Sequence, residues 1–173
     1  ENLGAGGETV FSVGGGRVFD WKMTAQGSEE RLLDSVLPHE ITHAIVATYL
    51  KRPAPRWLDE GMATSVEANV ERSRYRNLLA TFLHGKKGIP FNNMVALKEY
   101  PEEVMPFYSQ SFSVCEYLIL VGGRRRLMEF VKTATETNDV VSALRRYYDC
   151  DSLGALQLEW VAWVARWDSS NRP

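Results

Sequence analysis

Hydrophobic and polar positions change rhythm early in this chain. Across "ETVFSVGGGRVFDWKMTAQ" the apolar residues form short β-branched and aromatic runs on either side of Gly14, Gly15 and Gly16. That is the punctuation of a hairpin, and it predicts strands near 8–13 and 17–25. From Ser28 the spacing becomes helical: Leu32, Leu33, Val36, Leu37, Ile41, Ala44, Ile45 and Tyr49 recur on one side of a long helix ending near Leu50. Glu29 and Glu30 fall in its first turn, where unpaired backbone amides favour negative charge. Pro38 interrupts the pattern, and its missing N–H predicts a kink or a break just before His39.

"KRPAPRW" at 51–57 is a connector whose two prolines oppose helix, after which "WLDEGMATSVEANVERSRYRNLLATFLHG" restores helical spacing to about residue 84. Further helices are expected at about 92–98, 109–121, 124–136, 139–148 and 152–167, with no strand after residue 27. The chain reads as α+β, mostly α. Its predicted organisation is one domain over 1–173, with a β-hairpin edge at 1–27, a helical pair at 28–84 and a helical subdomain at 85–173.

Composition narrows the function classes without changing this layout. At 173 residues, 45% hydrophobic and 24% charged, the chain has the balance of a folding globular domain. Twenty basic residues against 22 acidic ones give a net charge of −2, which speaks against a nucleic-acid partner. No apolar run is long enough to span a membrane. Cys115 and Cys150 form no CxxC pair and suggest neither a disulfide framework nor a thiolate metal site. The first residue is not methionine and no signal-peptide pattern follows it, which fits a mature form or a piece of a longer chain.

The candidate chemistry lies in "VLPHEITHAIVATYL", residues 36–50. Positions four apart stand one turn apart on the same helix face, so His39 and His43 can direct imidazole nitrogens to one point, an arrangement suited to zinc. Glu40, about 100° round the helix from His39, lies beside the metal in the position of a general base. Sixteen residues separate His43 from Glu60 in "RWLDEGMATSVE". A turn at Pro53 and Pro55 would bring Glu60 back beside the first helix as a third ligand to one Zn2+ per chain, leaving a fourth position open. Gly61 would let those two helices approach. Thr64 and Glu67, on the ligand's face of a continuous helix, and Asp59 are candidates to hold the outer histidine nitrogens.

"HEITH" followed by "WLDEGMATSVE" resembles the gluzincin metallopeptidases, in particular the peptidase MA-like domains and the aminopeptidase N and leukotriene hydrolase group. The match holds at Trp57, Leu58, Glu60, Gly61 and Glu67, whereas Asp59 replaces the group's usual asparagine and the spacer is slightly shorter than in the aminopeptidases. "FYSQSFSVCEYLILVGG", 107–123, resembles the segment that follows the zinc helices, and "DSLGALQLEWVAWVARW" resembles the closing helix of MA-like domains, where tryptophans pack the core. The resemblance implies a zincin-like fold and makes Tyr108 the phenol that stabilises the oxyanion. A tyrosine just before a helix could offer that neutral donor. The GxMEN strand of the aminopeptidases is missing, so their specificity does not carry over. By the same resemblance, Val18 to Gln26 would be the sheet edge along which an extended peptide pairs.

The expected function is therefore hydrolysis of a peptide or protein substrate by a zinc-activated water, with Glu40 as general base and Tyr108 as oxyanion donor. A second reading is a catalytically inactive zinc or peptide-binding module that keeps the peptidase scaffold. A third is a different hydrolase on the same metal, such as an epoxide hydrolase. His84 reads as a surface residue, and Glu102 and Glu103 as a solvated acidic turn. The resemblance favours an extracytoplasmic location, and no residue in the chain marks one.

Overall fold

A computed structural model describes residues 6–170 as a two-stranded antiparallel sheet followed by helices. Strands β1 (Gly7–Gly14) and β2 (Arg17–Ala25) pair through a two-residue turn in which Gly15 and Gly16 have φ of 56° and 70°. Those left-handed values match the twist of a tight hairpin and explain the glycine run. The register slips between Val10 and Ser12, where Asp20 adopts φ 54° as an extra residue on β2. Among the described residues no strand follows Ala25.

Helix α1 (Glu29–Arg31) starts on a Ser28 side-chain cap and runs through a π-helical turn, Leu32–Val36, into α2 (Leu37–Leu50). The expected disturbance at Pro38 takes this form. Leu37 N–H bonds to Leu32 C=O, five residues back, and the widened turn gives the proline ring room without ending the helix. Lys51, in the left-handed conformation, stops α2, and the prolines after it reverse the chain into α3 (Arg56–Thr64).

The long helix expected over 57–84 is two helices. α3 ends at Ser65, whose hydroxyl turns back onto Met62 C=O at 2.8 Å, and α4 (Asn69–His84) starts after a short break. Ser35 from the π turn holds that break by accepting from the Ala68 N–H at 3.3 Å. α5 (Phe91–Ala96) is short. α6 (Val104–Thr137) begins earlier than its periodicity predicts and includes a non-helical Gly123 at φ 76°, ψ 165°, which divides it where the two separate helices were expected to meet. Helices α7 (Val140–Tyr148), capped by Asp139 onto the Ser142 N–H, and α8 (Leu153–Ser170) complete the body.

The core is built round α6. Phe107, Phe112, Leu118 and Phe130 from α6 are fully buried with Trp57 and Leu58 of α3, Phe91 of α5, Leu144 of α7 and Trp160 of α8. Trp160 packs at a tilt against Phe91, with ring centroids 5.3 Å apart, and donates its indole N–H to Ser113 Oγ at 3.0 Å, so the buried ring carries no lost hydrogen bond. Gly61 is required by a close approach, to α6 rather than to α2. A methyl group there would sit 2.4 Å from both Ser111 O and Cys115 Sγ. No described helix is long and apolar enough to cross a membrane.

Candidate functional site

α2 sets His39 and His43 one turn apart, with ring centroids separated by 4.8 Å. α3, locked against α6 through Gly61, brings Glu60 to the same point. Its Oε2 lies 3.5 Å from His39 Nε2 and 3.9 Å from His43 Nε2. A tetrahedral ion with bonds of about 2.0–2.1 Å has ligand atoms roughly 3.4 Å apart, so these separations fit a cation between them. Glu60 is buried, and Oε2 accepts no hydrogen bond from any protein group. A buried, undonated carboxylate oxygen facing two imidazole nitrogens is costly unless something positive fills the gap. Three ligand atoms, one each from His39, His43 and Glu60, lie within 4.8 Å of one another, and among the described residues they form a group that could hold a metal ion.

The outer nitrogens are held by acids. Glu67 Oε1 meets His39 Nδ1 at 2.7 Å, and Asp59 Oδ2 stands 3.0 Å from His43 Nδ1, at an angle poorer than a well-formed hydrogen bond. Such contacts fix ring orientation and aim the inner nitrogen. Glu67 achieves this from the break after α3, not from the continuous helix face on which it was expected. Thr64, expected on that same face, is buried with an unpartnered hydroxyl and holds neither histidine. Burial is the largest single influence on His39 and opposes its charge. The hydrogen bond to Glu67 and the negative charges of Glu60 and Glu67 outweigh it, raising His39 to about 10. His43 is raised in the same way by Asp59 and Glu60 against burial. For Glu60 burial pushes upward, but His39, His43 and Tyr100 hold it below its ordinary value. The set favours positive charge at its centre, whether carried by protons or by a metal.

Glu40 is buried beside His39, and its Oε2 accepts a 2.6 Å hydrogen bond from Thr9 Oγ1 of β1. Gly7 leaves room for it: a methyl group there would come within 2.6 Å of Glu40 Oε1. Tyr108 lies within the first turns of α6 rather than before it, and lines the cleft with His39, Glu40 and Glu60. Tyr100, in the connector before α6, donates its hydroxyl to Glu60 Oε1 and sits under the Arg56 guanidinium at 4.1 Å. Tyr108 packs beside Tyr100, with ring centroids 5.9 Å apart. Burial and then the Glu60 charge raise Tyr100 to about 12 and push Tyr108 higher still, so both phenols keep their protons at neutral pH.

Around these groups opens a cleft of about 770 Å³. Its sheet wall is β1, Gly7 to Phe11, and not β2. This corrects the expectation for Val18 to Gln26: β2 pairs with the far edge of β1, leaving β1 as the strand beside the histidines. His84 is exposed at the end of α4, and Glu103 pairs with Lys87 at 2.7 Å on the surface. Sequence reasoning missed Thr9 and Tyr100. The alternation of β1 marks Thr9 as inward-facing, but nothing in the spacing connects a lone tyrosine before Pro101 with Glu60. No protein-family model, curated protein or solved structure matches this chain, so the reading of the site rests on its geometry and chemistry.

Proposed function

We propose that the chain is a zinc-dependent peptidase of the gluzincin type. The observation that carries this is Glu60 Oε2, buried, undonated and facing the Nε2 atoms of His39 and His43. Two imidazoles and one carboxylate with a fourth side open to a cleft is a donor set suited to a catalytic zinc. Zinc held there supplies a Lewis acid that lowers the pKa of water and polarises a carbonyl.

The chain's own groups do the rest. Asp59 and Glu67 hold the histidine rings in place. Glu40, steadied by Thr9, takes a proton from the attacking water at a carboxylate oxygen and hands it to the leaving amine nitrogen. Tyr108 offers its O–H to the oxygen that becomes negative. The outer edge of β1 offers unpaired backbone groups to an extended peptide.

The test combines metal content with turnover on a panel of peptides and denatured proteins. The parent should hold about one zinc per chain, Glu60→Ala should lose it, and Glu40→Gln should keep it while turnover falls by about 10²–10⁴. A Glu40→Gln variant as active as the parent, or a parent that takes up no zinc, would sink the peptidase reading. A zinc-loaded parent that cleaves nothing would establish the binding module.

A further inference from the structure

The cleft continues past Glu40 into a smaller recess of about 50 Å³, bounded by Arg31, Arg74, Tyr75 and Met105 together with Val36 and Tyr108. In the water-probe sense of cavity volume this is room for roughly three or four waters, enough for a carboxylate with a short stem and too little for an aromatic side chain. Its two arginines come from separate elements, α1 and α4, and share a single acid. Glu71 Oε1 lies 3.4 Å from Arg31 Nε, and Glu71 Oε2 lies 3.1 Å from Arg74 Nη1.

One carboxylate does not saturate two guanidinium groups, each of which is permanently charged and carries five N–H donors. The pair is left with an excess of positive charge and of donors. Their side chains are 39% and 36% exposed, so a ligand can reach them. The acids that also face the recess are engaged elsewhere, Glu67 by His39 and Glu40 by Thr9. The chain entering β1 borders the same space: a methyl group on Gly6 would meet Val36 Cγ2 at 2.7 Å and Arg31 Nη1 at 3.2 Å.

We infer that this recess binds a carboxylate carried by the residue on the leaving-group side of the scissile bond, with Arg31 and Arg74 as the recognising residues. The inference rests on the peptidase reading, because position follows from chemistry. Glu40 must reach the leaving amine, so the residue bearing that amine sits beside Glu40, at the mouth of the recess. The favoured substrates then carry a negative charge on that residue, either an acidic side chain or the α-carboxylate of a C-terminal residue. Guanidinium groups suit both, since they pair with carboxylates through two parallel hydrogen bonds.

The experiment measures peptide binding on zinc-loaded Glu40→Gln protein, where cleavage is silenced and affinity is read by fluorescence anisotropy. Matched peptides differ at the one residue: internal Glu against Gln, and a C-terminal free acid against its amide. The carboxylate form should bind about tenfold or more tightly. The pair that shows the difference identifies the side chain or the terminus as the source. Adding Arg31→Gln or Arg74→Gln should erase the preference while leaving the neutral peptides and the zinc content unchanged. Glu71→Gln, which releases both guanidiniums, should increase the preference, a gain that a purely structural role for Arg31 and Arg74 would not give. Equal affinities for charged and neutral peptides, a preference that survives both arginine substitutions, or no peptide binding at all would overturn the inference. Charge-selective binding by a chain whose unmodified form cleaves nothing would uphold the recess and remove the peptidase reading. Cleavage without charge preference would do the reverse.

Discussion

The two elements that flank the cleft are held in very different ways. In α3, Trp57, Leu58, Glu60, Gly61, Met62, Ala63 and Thr64 are all buried, and the helix lies so close to α6 that a single methyl group at Gly61 would collide with Ser111 and Cys115. The hairpin is thin. Its inward positions are only half-buried, Val10 and Val13 are 44% and 46% exposed, and Trp21 and Met23 keep more than a third of their surface in solvent. Glu60 belongs to the densely packed element, whereas the carboxylate of Glu40 is oriented by one hydrogen bond from the sparse one. Regions with few buried contacts open more readily than the core. Metal affinity should therefore be a property of the helical body, and proton handling a property that the hairpin can disturb on its own.

The largest expected effect that separates the two regions is on metal affinity. Tyr100→Phe removes the donor to Glu60 Oε1, and Glu67→Gln weakens the partner of His39 Nδ1. Each should weaken zinc binding by about 10–100-fold, read by competition with a chromophoric chelator. A substitution in the hairpin with an effect of that size would erase the distinction between body and hairpin. So would a Tyr100→Phe variant that binds zinc like the parent.

The parts of the site that sequence made legible are those with short-range periodicity. His39, Glu40 and His43 lie within one helical turn, and a turn at Pro53 and Pro55 is enough to bring Glu60 back, so the structure gathers them as spacing suggested. The hairpin was equally legible, because glycine runs and β-branched residues act locally. What could not be read depends on contacts distant in sequence. Tyr100 reaches Glu60 across 40 positions and Thr9 reaches Glu40 across 31. The break at 65–68 was hidden because apolar spacing continues through it, and its stop signal, Ser65 bonding back to Met62, is a weak local preference. β1 rather than β2 borders the cleft for the same reason: pattern alone identifies a hairpin but not which of its two edges faces a helix.

A smaller effect probes the hairpin directly. Thr9→Val keeps the shape of the side chain and removes the hydroxyl that steadies Glu40 Oε2. Zinc affinity should be unchanged, while turnover falls by about tenfold, a fraction of the about 10²–10⁴ that a general base contributes. A matching loss of zinc would mean that the hairpin also positions the ligands, and unaltered turnover would mean that Glu40 needs no such support.

The smallest effect is a slope with pH, and its sign differs between metal-free and zinc-loaded protein. Without metal, burial works against the His39 charge, but the Glu67 hydrogen bond and the charges of Glu60 and Glu67 outweigh it and raise His39 from 6.5 to about 10. A raised histidine contributes stability that is fully present below its unfolded value and is lost as pH climbs through the folded one. Metal-free protein should thus lose stability between about pH 6.5 and 10. Glu60, lowered from 4.5, works at the other end, and its contribution disappears as pH falls below that value. Zinc requires the imidazoles in their neutral form, so zinc affinity, and the stability it adds, should rise across the window in which the metal-free chain weakens. Melting temperatures measured with and without chelator across that range should therefore diverge with increasing pH. Thr9→Val should leave both slopes in place, since the hairpin lends no charge to the histidine pairs, and Glu67→Gln should flatten the metal-free one. Parallel curves would mean that no proton is exchanged for metal at His39, and that the acids around it serve the fold of the helical body rather than a cation.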